Sequence, residues 1–276
     1  MNENNVPVRG NSFTNGDYVW FIGKVENVND PEMDGRVQVR IMGYHPDAEG
    51  QIAVGDLPWS QVEHSSMSAA TKGIGFGPHG LIVGTFVKGH FIDGHDAQMP
   101  MVTATFAGIG DTHDLIKGKN TVKKTLLSAN GVKEPASPYG AQYPHNKVMT
   151  TTSGHVIEID DTPGKERIHV YHKSGTYIEF HPDGKAVYRH FGDTFFLTNG
   201  NCSQITTGDY KHVVGGNMEF IVGGNTTIKS NGSVNIQSGS TMNIKAGSSA
   251  NIQAGSSMTL KAGGMIKANG SVINLN

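Results

Sequence analysis

"GSTMNIKAGSSANIQAGSSMTLKAG", residues 239–263, repeats one pattern three times in eight-residue steps. It carries two lysines and no acid, histidine, cysteine or aromatic ring, so almost nothing in it performs chemistry. Working outward, Gly215, Gly223, Asn231, Gly239, Gly247, Gly255 and Gly263 form one column at a spacing of eight. A second column beside it reads Gly216, Gly224, Gly232, Ser240, Ser248, Ser256 and Gly264. Each octad thus holds a two-residue turn, written with residues suited to positive φ or tight bends.

Between the turns, alternate positions point to one side of an extended chain. Five positions beyond the first turn column stand Phe220, Ile228, Ile236, Ile244, Ile252 and Leu260. Three positions beyond it stand Met218, Thr226, Val234, Met242, Ala250, Met258 and Ile266, and seven beyond it Val222, followed by serines and alanines. The opposite side is Asn, Gln and Lys. A short strand with one apolar face cannot bury that face alone, and a period this regular implies a stacked array. A coil of a single-chain solenoid needs roughly 18 residues or more, and two octads give too few. Three chains that each supply one face need only eight residues per face. The pattern therefore predicts an intertwined, homotrimeric β-helix whose core is Met218, Phe220, Val222, Ile228, Val234, Ile236, Met242, Ile244, Ile252, Met258, Leu260 and Ile266. Cyclic symmetry would close such an assembly into a rod.

The rest of the chain of 276 residues is all-β in character. Hydrophobic content is 36% and glycines number 37, which argues against one conventional globular core. With Cys202 as its one cysteine, the chain has neither an intrachain disulfide nor a multi-cysteine zinc site. Neither a membrane-spanning apolar run nor a secretory signal is expected from the sequence. Residues 18–108 carry five basic against ten acidic side chains, a net of −5, whereas 224–276 carry four lysines and no acid. Such asymmetry suggests that the two ends meet different surroundings.

Trp20–Val28, Arg36–Ile41, Leu81–Val87 and Met101–Phe106 read as strands between Pro/Gly turns, Arg36–Ile41 as a half-buried one. Ser65–Lys72 is the one candidate short helix. About five strands in some ninety residues predicts a Greek-key barrel of the OB type. The expected organisation is an extension at 1–17, an OB domain at 18–109, a linker at 110–146 and the β-helix at 147–276, with octads clearest at 184–267. Within the last part, His155–Asp160, Arg167–His172 and Thr176–Phe180 read as strands.

Several chemical readings fall away on spacing. Gly75-Phe76-Gly77-Pro78-His79-Gly80 matches a dinucleotide fingerprint, but a strand and not a helix is expected after it. His169 and His172 lie on opposite faces of a strand, and His90, His95 and Asp96 form a second weak metal candidate. Glu158 and Asp160 share one face, read here as a solvated strand edge and not a glycosidase pair. The acidity of the barrel disfavours single-stranded nucleic acid as its ligand. Lys229, Lys245 and Lys261 recur on the outward face, where they serve solubility or approach to an anionic membrane. No catalytic residue, cofactor or metal is expected.

"WFIGKVENVNDPEMDGRVQVRIMGYHP" with "LPWSQVEHSSMSAATKGIGFGPHGLIVGTFVKGHFIDG" resembles the N-terminal OB domain of the central spike proteins in T-even-type phage baseplates. "YPHNKVMTTTSGHVIEIDDTPGKERIHVYHKSGTYIEFHPDG", leading into the octads, resembles the start of that family's trimeric β-helix. It also resembles the valine-glycine repeat spikes of type VI secretion. The resemblance implies a trimeric needle in the virion's tail baseplate, mounted through its OB domains on a trimeric hub protein. Such a needle is driven through the host's outer membrane. The best-known member carries a lysozyme domain where this chain has residues 110–146, too few for one, so no enzyme activity is carried over. The family's histidine pair for a tip iron has no counterpart after His212, and the end "SVINLN" suggests a separate PAAR-type tip protein. The alternatives are a spike of a type VI-like injection system, an OB-fold binding module on a trimeric stalk, and a wall-degrading enzyme.

Overall fold

The computed structural model describes residues 18–46, 51–108, 128–129 and 131–274. The expected extension 1–17 and the first part of the expected linker, 110–127, lie outside the described residues. Chain contacts separate a first unit, up to Val213, from a second beginning at Val214.

The first unit opens with a closed barrel. Its strands are β1 (Trp20–Asn27), β2 (Val37–Ile41), β3 (Trp59–Val62), β4 (Phe86–Phe91) and β5 (Pro100–Phe106). They close in the order β1-β2-β3-β5-β4, all pairs antiparallel except β3 with β5. That is a five-stranded Greek-key barrel, consistent with the OB fold. Phe21, Val25, Val37, Val39, Ile41, Val87, Phe91 and Val102 fill it. Strand glycines let its walls approach. A Cβ on Gly89 would lie 2.1 Å from the Met101 carbonyl oxygen and 2.6 Å from the Phe21 ring, at the point where the β4–β5 register shifts.

Three expectations for the barrel change. β2 is buried along its whole length and not half-buried. Its polar side chains find carbonyl partners: Gln38 donates to Leu57 (2.7 Å) and Arg40 to Pro46 and Ile52. Ser65–Lys72 is turns, not a helix, with a serine-led turn and positive φ at Ala70 and Lys72. Leu81–Thr85 is also a turn, with Gly84 at φ +94, so the strand begins only at Phe86.

A hairpin, β6 (Ser128–Ala129) and β7 (Val132–Lys133), precedes a five-stranded antiparallel sheet. The sheet comprises β8 (Asn146–Thr150), β9 (Val156–Asp160), β10 (Arg167–Tyr171), β11 (Tyr177–Phe180) and β12 (Ala186–Arg189), each paired with its sequence neighbours. Alternation gives it two faces. Val156, Glu158, Asp160, Arg167, His169, Tyr177, Glu179, Val187 and Arg189 are buried on one. Ile157, Ile159, Ile168, Val170, Phe180 and Tyr188 are exposed on the other.

Beyond Arg189 the chain is extended, with bends at 191–192, 199–200 and 207–208 in the first unit. In the second unit they fall at 215–216, 223–224, 231–232, 239–240, 247–248, 255–256 and 263–264. No strand pairing is found among the described residues of this region.

Candidate functional site

Two features of the molecule invite a functional reading: the octad stripe and the charged ladder beneath the sheet. In the second unit, every octad bend falls on a pair of turn-column residues, Gly215, Gly223, Gly239, Gly247, Gly255 and Gly263 among the first of each pair. The apolar residues between bends are all exposed in the single chain. The column of Phe220, Ile228, Ile236, Ile244, Ile252 and Leu260 is 73–82% exposed, and Met218, Val222, Val234, Met242, Met258 and Ile266 are 48–60% exposed. With the backbone in eight-residue steps, this stripe has no cover within its own unit, and large apolar side chains left in water are what an interaction surface consists of.

The ladder lies on the sheet's buried face. The Arg167 guanidinium stands between two carboxylates, donating to Glu158 and, at 2.9 Å, to Glu179. Glu179 also meets His169 Nδ1 at 2.7 Å and His181 Nε2 at 2.9 Å. Burial alone would raise the Glu179 carboxyl, but the bonds from His169 and Ser137 and the charge of Arg167 bring it down to about 2. A second pair, Arg189 and Glu134, sits 2.9 Å apart, and the Tyr177 hydroxyl donates to the same Glu134. Burial and that carboxylate together push the Tyr177 phenol above its ordinary range.

Glu134, Ser137 and Tyr139 come from the stretch expected as a linker. Ser137 joins Arg167 and Glu179, and the Tyr139 ring lies 4.8 Å from the Arg167 guanidinium carbon. Residues 134–142 thus form a strap over the charged face, fastened again where the Gln142 amide donates to Thr162. Sequence reading missed this strap, because three isolated polar contacts leave no periodicity. It also misjudged Glu158 and Asp160, which are 3% and 1% exposed and not a solvated edge. The signal available was their alternation with Ile157 and Ile159, opposite Arg167 and His169 in register.

The remaining candidates separate. His169 is in the ladder, whereas His172 bonds Ser174 at the strand's end and lies against His155. His90 contacts Tyr18. Among the described residues no group of three or more His, Cys, Asp or Glu side chains is placed to hold a metal. Gly75–His79 line an open concavity of about 370 Å³ with Met33 and His64, and no helix follows the motif to receive a phosphate. At the barrel's β1–β2 turn, the Arg36 guanidinium and three backbone amides hold the Asp30 carboxyl well below the usual range.

A barrel of this strand order, joined through a charged sheet to an eight-residue repeat, has known relatives. Residues 43–167 match the family described as the Gp5 N-terminal OB domain; the match begins just past β2 and ends at the start of β10. Protein Gp5 of Vibrio phage KVP40 is 30% identical over 253 residues, covering 67% of this chain and 60% of that protein. The pre-baseplate central spike protein Gp5 of Enterobacteria phage T4 is 42% identical over 69 residues, 25% of this chain and 12% of that protein. The chain therefore spans less than two thirds of the length of either relative. On these matches it is a T4-like member of the Gp5 central spike proteins, which belong to the tail baseplate of the virion.

Proposed function

We propose that the chain is the structural needle of a contractile phage tail. Three copies wind their octads into one β-helix, the barrel mounts the trimer on a trimeric hub of the baseplate, and contraction drives the needle through the host's outer membrane. The reading is non-enzymatic and calls for no cofactor. The observation that carries it is the octad stripe, apolar at every turn of the repeat and uncovered in the single chain. Burial of an Ile or Leu contributes about 1.5–3 kcal/mol, so the stripe favours assembly strongly once three chains share it. Folding of the rod and association are then one event.

Light scattering on the purified protein tests this, with denaturing electrophoresis of unboiled sample beside it. The expected mass is three times the 29.5 kDa of the chain, persisting in detergent until heated. A monomer in solution would refute the needle. Measurable peptidoglycan hydrolysis by the pure protein would refute the non-enzymatic part alone.

A further inference from the structure

The polar side chains that interrupt the octad stripe fall in one place. Counting back by eights from Phe220, the apolar column passes His212 and Gln204 before it reaches Phe196. In the octad that opens with the bend at 207–208, Tyr210, His212 and Val214 share one side of the extended chain, and Lys211 and Val213 the other. The second side is covered by the chain itself. Lys211 and Val213 line a groove with residues 132–135 and 187–190, and the Lys211 ammonium lies 3.8 Å from where a Cβ on Gly131 would stand. Tyr210 and His212 are exposed, Tyr210 at 63%.

The two exposed side chains meet each other. The Tyr210 hydroxyl lies 3.4 Å from His212 Nδ1, with the ring centroids 6.4 Å apart. A phenol oxygen accepts as well as donates. With Nδ1–H donating to it, the lone pair of the imidazole rests on Nε2. A partner on one ring nitrogen is what fixes the other for a metal. The side that carries Tyr210 and His212 holds no carboxylate in this octad, since Asp209 is on the other.

We propose that, in the trimer, His212 of the three chains binds one divalent transition-metal ion of the zinc class on the threefold axis, through Nε2 and with Tyr210 orienting each ring. The inference rests on the trimeric reading above and adds a site to it. Any point on such an axis is equidistant from three copies of one atom, so a single histidine per chain supplies three equal ligands. Their lone pairs are all acceptors and cannot satisfy one another, and polar groups in an apolar core are costly without a partner. A Lewis acid satisfies all three at once. Three imidazole nitrogens suit zinc, cobalt(II) or nickel, whereas magnesium and calcium take oxygen ligands. Within one chain the described residues gather no such ligand set, and the site is complete only with three copies. The ion ties the chains together where the apolar column is interrupted, and it takes no part in a reaction.

The test uses the full chain without an affinity tag, in a Cys202→Ser background, because Cys202 stands one octad before Tyr210 on the same side. The protein is unfolded, freed of metal with a chelator, and refolded with cobalt(II) or without it. The trimer should bind one cobalt for three chains, with the visible absorption of a tetrahedral site, and should unfold at a higher temperature than the metal-free trimer. His212→Gln uses a residue type that the column already holds at Gln204, and should give a trimer that has lost the ion. Tyr210→Phe should bind cobalt about 10–100-fold more weakly. A wild-type trimer that takes up no cobalt, or a His212→Gln trimer that binds it as the wild type does, overturns the inference and leaves the needle reading standing. A trimer stabilised by chloride or phosphate and not by metal overturns it too, since imidazoles turned the other way present donors. A protein that stays monomeric with cobalt and without it overturns both. Equal cobalt affinity in Tyr210→Phe and the wild type overturns the orienting role of Tyr210 alone.

Discussion

Arg167 decides more than any other single residue. Its guanidinium is 2% exposed and stands between carboxylates that are 3% and 2% exposed, so removing it leaves two buried negative charges without their partner. Arg167→Ala should destabilise the first unit by about 3–5 kcal/mol, read as a shifted urea midpoint, because an uncompensated buried charge is worse than none. Glu179 gives the ladder a pH dependence of defined sign. Its folded value of about 2 lies below the ordinary 4.5, so its contribution is complete above about 4.5 and is lost as the pH falls from there toward 2. Urea midpoints taken between pH 7 and pH 3 should fall for the wild type and fall less for Glu179→Gln. Gly89 is a steric case. Gly89→Ala puts a methyl group against the Met101 carbonyl and should cost about 1–3 kcal/mol in the barrel, measurable by thermal melting.

At the scale of the element, the octad stripe is apolar in each repeat and exposed in the single chain. In the proposed trimer, Ile244→Asp with Ile252→Asp would place three copies of each carboxylate around one axis, away from water and counter-charge. Sedimentation should then show loss of the trimer, while Gln253→Asp, on the other side of the strand, should leave it intact. Strands β1, β2 and β5 were readable because apolar residues alternate between Pro/Gly turns, whereas β3 gave no such run and β4 lies later than the sequence places it. The full burial of β2 was not, since Gln38 and Arg40 have the polar look of a solvent face. They are buried because the carbonyls of Pro46, Ile52 and Leu57 accept their bonds. The missing helix at Ser65–Lys72 has the same lesson. Ser68 bonds the Phe76 amide across the loop, and that closure takes precedence over a weak helical pattern.

For the whole molecule, the amino-acid sequence determined the period. Turn residues every eight positions fix where the backbone bends, and one apolar column between them fixes which side needs cover. Both follow from local chemistry, which requires no knowledge of what lies opposite. The strand alternation Val156-Ile157-Glu158-Ile159-Asp160 and Arg167-Ile168-His169-Val170-Tyr171 likewise announces two faces. Only the tertiary structure decided which of the two is covered by the chain itself. The ordinary rule puts isoleucine inside and glutamate outside. Here the strap of residues 134–142 brings Glu134, Ser137 and Tyr139 from a stretch without pattern, and their bonds make the charged face the stable one to bury. The isoleucines are left outward, exposed in the single chain.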